Sequence, residues 1–118
     1  MAGVFMMARE PVDLSRESNG EMALAFDVLV EEHPSAPVVL RMDCGEGCSG
    51  ALDVSESIAS QPPGEWGTIA VRLRCFEDAG ADMKRIAVPF ALATDGTLAL
   101  RFSNVKLVSA AESEAECP

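Results

Sequence analysis

The residues of this chain best equipped for chemistry are four cysteines, one histidine, one tryptophan and nineteen carboxylates. Cys44 and Cys48 enclose Gly45, Glu46 and Gly47. Two glycines in so short a span let the backbone reverse tightly, and a small-loop disulfide is expected there; two free thiols beside a turn are the alternative. Such a bond belongs to an oxidising compartment. Tetrahedral zinc takes four ligands, commonly from paired short spacings. Cys44, Cys48, Cys75 and His33 offer one short spacing and two scattered partners, and His33 reads as a solvated loop residue, so no metal is assigned. Oxygen-rich loops in jelly rolls bind structural calcium, but no dense Asp/Asn run supports it here, and no cofactor is assigned. Cys75, between a strand pattern and Phe76, reads as a buried apolar filler, and Cys117 as an exposed tail residue.

The carboxylates raise the question of glycoside hydrolysis, which needs two carboxyl groups flanking one bond, one of them protonated. Glu31 with Glu32, or Asp43 with Glu46 and Asp53, are the available sets. Nothing in their spacing demands such a pair, and 118 residues are few for a complete substrate cleft. No catalytic residue is assigned.

Trp66 is the one side chain suited to stacking on the apolar face of a sugar, with an N–H to offer a hydroxyl. It also opens a strand pattern whose Ile69, Val71 and Leu73 point inward, and closing one end of the core is the role expected of it. Asp27, Arg41, Asp43, Asp53, Arg72 and Arg101 fall on the polar sides of strand patterns. A solvated sheet face with cross-strand charge pairs is the plainer account of them. Arg41 and Arg72 stand out because small residues (Ala23, Ala25, Ala70, Ala91, Ala93 and Ala99) crowd the same faces and make them shallow. Trp66, Arg41, Arg72 and Asp43 are therefore the candidate carbohydrate contacts.

The elements that must position these residues are strands. Met22, Leu24, Phe26, Val28 and Val30 alternate onto one face, as do Val38, Leu40 and Met42, then Leu52 and Val54. Ile69, Val71 and Leu73 repeat the pattern, followed by Ile86 to Leu92, Leu98 to Phe102, and a last strand over Asn104 to Val108. An edge strand is expected around Val4 to Met7. Thr94-Asp95-Gly96-Thr97 is an Asp-Gly turn between two alternating runs and predicts a hairpin. Helix is scarce, limited to a turn at Ser55 to Ser60 and one or two at Phe76 to Lys84. The predicted fold is all-β, an antiparallel β-sandwich, over residues 1–109. The abrupt opening suits a sandwich that lacks its first strand. Residues 110–118, with Glu112, Glu114 and Glu116 and no apolar pattern, are expected to form a frayed acidic tail.

Composition bounds the partners. The hydrophobic share of 48% is enough to fill one core, and with no Tyr that core must be largely aliphatic. A formal charge of −10 repels phosphate backbones and anionic membranes, which excludes nucleic acid and membrane as expected partners. No apolar run reaches transmembrane length, and Met1 to Met7 lacks the features of a signal peptide.

The run Trp66-Gly67-Thr68-Ile69-Ala70-Val71-Arg72-Leu73-Arg74-Cys75-Phe76, with Ala79 to Met83, Val88-Pro89-Phe90-Ala91-Leu92 and Gly96 to Leu100, resembles the C-terminal β-sandwich module of bacterial glycoside hydrolase family 3 exo-β-glucanases and glucan glucohydrolases. Pro11 to Ser18 and the Cys44-to-Cys48 segment resemble further parts of that module, so the likeness runs from about Pro11 to Val108. It implies a jelly-roll sandwich of the carbohydrate-binding-module-like kind, serving as a non-catalytic C-terminal accessory module of a periplasmic or secreted β-glucan-hydrolysing enzyme, whose partners are glucan or gluco-oligosaccharide and the catalytic domains of the parent chain. Nothing here matches those catalytic domains, so none of the family's catalytic residues maps onto this chain. The alternatives are a structural module that docks on the catalytic domains without binding sugar, and a free-standing interaction domain.

Overall fold

Alternation in the longest strand organises the molecule, seen in a computed structural model that describes residues 2–6, 9–96, 99–113, 115, 117 and 118. In β2 (Met22–Glu32), Leu24, Phe26, Val28 and Val30 are buried in the main core, while Asp27 and Leu29 point the other way. A strand presents alternate side chains to opposite faces, so one face of β2 must be covered. It is covered by a second sheet.

The remaining elements, in chain order, are β1 (Ala2–Met6), α1 (Ser15–Asn19), β3 (Val38–Asp43), β4 (Ser49–Asp53), α2 (Ser55–Ala59), β5 (Trp66–Arg72), α3 (Leu73–Asp78), β6 (Val88–Thr94), β7 (Ala99–Ser109) and α4 (Ala110–Ser113). They form two antiparallel sheets, one ordered β1-β6-β3-β4 and the other β5-β2-β7. The all-β sandwich read from the sequence is the fold observed, and an edge strand is present at β1. Between the sheets, Phe26 of β2 meets Phe90 of β6 edge-to-face at 5.1 Å, and Phe90 meets Phe102 of β7 at 5.2 Å. Aromatic pairs in this geometry add to the burial of their area, so three strands from two sheets are fastened at one point. Leu40, Met42, Ile58, Leu73, Phe76 and Ile86 complete the core.

Four expectations need correction. The Asp-Gly turn does not make a hairpin: β6 pairs with β1 and β3, whereas β7 pairs with β2, so the connection passes from one sheet to the other. Thr97 and Leu98 lie outside the described residues. The helix expected from Phe76 begins earlier, at Leu73, ending the Trp66 strand one residue sooner. Cys75 is buried but is no mere filler, because it is bonded to Cys117 across 42 residues of sequence. The tail is accordingly held where described: Ala110 and Ala115 are buried against Ala23, and Ala70 and Val108 pack beside them. A single terminal cysteine carries no spacing signal, so neither its partner nor this anchoring was readable locally.

Candidate functional site

The register places the candidate residues on two different surfaces. On β3, Val38, Leu40 and Met42 face the core, so Arg41 and Asp43 project from the outer face of the four-stranded sheet. Arg41 lies between Ala51 of β4 and Ala91 of β6. Its Nε is 2.8 Å from Asp43 Oδ1, a charge contact in which the N–H is not aimed at the oxygen, leaving a buried Nε without a directed hydrogen bond. A shallow depression of about 240 Å³ lies here, lined in part by Pro37, Val39, Arg41, Ala51 and Ala93.

Trp66 and Arg72 belong to the opposite surface, the outer face of the three-stranded sheet. Facing pairs run Trp66 with Leu29, Thr68 with Asp27, Ala70 with Ala25, and Arg72 with Ala23. Trp66 does not close the core, contrary to expectation. It is 56% exposed, because its neighbours Ile69 and Val71 take the inward positions and the strand's parity puts residue 66 outside. Arg72, six residues further along and so about 20 Å away, is committed to structure. Its Nε donates to the Ala115 carbonyl at 2.8 Å and its Nη1 is 3.5 Å from Glu21 Oε2.

Around Trp66 the face is polar and ordered. Arg101 of β7, opposite Leu29, donates from Nε to Glu31 Oε1 at 3.1 Å. Asp27 accepts from Thr68 Oγ1 at 2.8 Å and from Asn104 Nδ2 at 2.7 Å. These hydrogen bonds, Asn104's foremost, hold the Asp27 carboxyl below its ordinary range. Thr68, Leu29 and Asn104 were not among the sequence candidates, and nothing local distinguishes them: Asn104 reaches Asp27 only through the pairing of β7 with β2.

The carboxylate sets considered for glycoside hydrolysis are not assembled. Glu31 and Glu32 are consecutive at an irregularity of β2, both are exposed, and Glu31 is engaged by Arg101. Asp53 pairs in register with Val39, four residues from Asp43 along β3. Its carboxyl is lowered by hydrogen bonds from the Ser55 hydroxyl and backbone, the reverse of what a proton donor needs. The cysteines weighed for zinc are bonded in pairs, Cys44 with Cys48 and Cys75 with Cys117. Cys44 Sγ also accepts from the Asp82 backbone N–H at 3.2 Å, tying that small loop to the one after α3. Among the described residues no group of three or more His, Cys, Asp or Glu is placed to hold a metal ion, and no helix is long and apolar enough to cross a membrane.

The model of the Exop_C family, described as galactose-binding domain-like, matches residues 1–107. The chain belongs to the Exop_C family. Among solved structures, this Exop_C domain is similar to part of an exo-1,3/1,4-β-glucanase (EXOP) from a Pseudoalteromonas species, with a TM-score of 0.71 and 20% sequence identity over 91% of the chain. The chain spans only 13% of that enzyme's chain, and at this identity the likeness shows the fold. No curated protein sequence matches. The family match covers all seven strands in whole or in part, stopping just before the end of β7, and leaves α4 and Cys117 outside it.

Proposed function

We propose that this Exop_C domain is a non-catalytic accessory module of a β-glucan-hydrolysing enzyme, and that it keeps the parent enzyme near its substrate by presenting the outer face around Trp66 to glucan. The observation that carries this reading is the exposure of Trp66, 56% on a sheet face flanked by ordered hydrogen-bonding groups. An indole left in water offers an apolar plane to the C–H face of a pyranose. Weak attachment of this kind raises the effective concentration of substrate at a tethered catalytic domain. The related fold inside an exo-glucanase supports the context, and two disulfides support a periplasmic or secreted location.

Trp66 is the sole tryptophan and there is no tyrosine, so the intrinsic emission reports one site. Titration with cello- and laminari-oligosaccharides to millimolar concentration is expected to shift that emission saturably. Unchanged emission together with unchanged amide chemical shifts would sink the reading.

A second reading has its own observation. The outer face of the four-stranded sheet, with Ala51, Ala91 and Ala93 around the Arg41–Asp43 pair, is flat and weakly polar. A structural module docking on the catalytic domains of its parent chain would bury this face. In that case the isolated domain gives no sugar response, and mutation at Arg41 weakens its association with the catalytic domains supplied separately.

A further inference from the structure

Two described residues other than glycine take a left-handed backbone: Glu21 at φ 58° and Asn104 at φ 51°. Glu21 joins α1 to β2, where a chain reversal requires it. Asn104 lies inside a strand, where regular geometry was available. Opposite β2, Lys106 pairs with Ala25 and Ser103 with Asp27, so Asn104 and Val105 together face Phe26 alone. This is a β-bulge. Val105 packs against the core, and the extra residue, Asn104, delivers its amide to Asp27 on the outer face. Bulges re-aim side chains and gather beside functional sites, and asparagine tolerates the left-handed region better than most residues.

The result is a hydrogen-bonded row across all three strands, Thr68 of β5, Asp27 of β2 and Asn104 of β7. Thr68 is two residues from Trp66, about 7 Å along the strand. The local charge also differs from that of the whole chain. Asp27 and Glu31 are balanced by Arg101 and Lys106 on this face, while the chain carries −10. A sheet face whose strand charges are matched in this way suits neither an anion nor a cation.

We propose that Asn104, aimed by the bulge and held by Asp27, is the specificity-determining residue of this face, and that the ligand is a neutral β-linked glucan stacked on Trp66. This rests on the accessory-module reading above. A pyranose whose hydroxyls are all equatorial has two apolar C–H faces and a polar rim. With one sugar of the chain on the indole, a sugar further along lies over the row of Thr68, Asp27 and Asn104, because Asn104 stands two strands across from Trp66 and three residues along, roughly 14 Å away; there the Asn104 carbonyl and its second N–H meet adjacent hydroxyls. An axial hydroxyl breaks the fit to either the indole or the row.

The test compares the wild-type chain with Asn104→Gly and Arg41→Ala, using calorimetric titration with a gluco-oligosaccharide and with a galacto-configured oligosaccharide of the same length. Glycine keeps the left-handed backbone and deletes the side chain, together with its hydrogen bond to Asp27. The expected result for Asn104→Gly is gluco-ligand binding at least about tenfold weaker, the size of two modest hydrogen bonds lost together, with the preference for the gluco ligand reduced. Arg41→Ala, on the other sheet, is expected to bind as wild type. If the wild type binds glucan and Asn104→Gly binds equally well with the same preference, the role of Asn104 is overturned and the accessory-module reading stands. If Arg41→Ala loses binding instead, the face is wrongly placed. If the wild type binds no glucan, the accessory reading falls and this inference with it.

Discussion

The two ends of the outer face of β5 are built alike and end up in opposite surroundings. At one end Trp66 is open to solvent, with Thr68 and Asp27 beside it in an ordered polar row. At the other, Arg72 lies under the chain terminus, beside buried Ala23 and capped by the Ala115 carbonyl. Both ends follow from one alternation in one strand. What separates them is a single covalent link, Cys75 to Cys117, which brings the last residues across one end only. Parity decides which residues leave the core; long-range connections decide which of those reach water.

Breaking the covered end is expected to have the largest effect. Replacing Cys75 and Cys117 together with alanine removes a cross-link closing a loop of 42 residues, and by loop entropy costs about 4 kcal/mol. Urea unfolding of the double variant measures it, and limited proteolysis should then cleave after Ser109 first. An unchanged urea midpoint would mean that the tail contributes nothing to the fold. Arg72→Ala leaves the disulfide but deletes the charged donor to Ala115, for an expected loss of about 1–2 kcal/mol by the same measurement.

The open end should behave oppositely. Trp66→Ala removes a mostly exposed side chain, so unfolding should move by no more than about 0.5–1 kcal/mol, while the oligosaccharide response disappears. A large stability loss at Trp66 would show that it serves the fold after all. The smallest effect is acid-dependent. Hydrogen bonds from Asn104 and Thr68 hold Asp27 below its ordinary value of 3.8, as hydrogen bonds from Ser15 do for Asp13 and those from Ser55 for Asp53, and as those from Lys84 and Arg85 do for Asp82. A carboxyl depressed in the folded state contributes stability that is complete above its unfolded value and is lost as pH falls through the folded one. The melting temperature should therefore fall below about pH 4, and Asp27→Asn should lower the neutral plateau and flatten that limb, because the stability it removes is the part that acid would have removed.

Much of the fold was legible. Met22 to Val30, Val38 to Met42 and Ile69 to Val71 alternate because one face of each strand meets the opposing sheet, and that pattern holds whichever strands are its partners. The partners were not legible. Thr94 to Thr97 has the chemistry of a hairpin, but the choice between returning in the same sheet and crossing to the other depends on which strands already flank β6. Trp66 was expected to close the core because large aromatics usually do, and its outward parity was outweighed by that expectation. Arg41 and Arg72 looked equivalent, since both share faces with alanines; only the assignment of β3 and β5 to different sheets separates them. Asn104 had no signal at all. A lone asparagine in a strand pattern becomes distinctive once its backbone angle and its contact with Asp27, 77 residues earlier, are seen.

The Cys75–Cys117 bond has a topological consequence. From residue 75 to residue 117 the polypeptide is a closed ring, and that ring carries β6 from one sheet and β7 from the other. A protease that cuts once between those cysteines, at the sheet-to-sheet crossing for example, opens the ring and releases nothing. The nicked molecule keeps its mass until a reductant is added. Durability against a single cut resides here in the last few residues of the chain, beyond the reach of the family match.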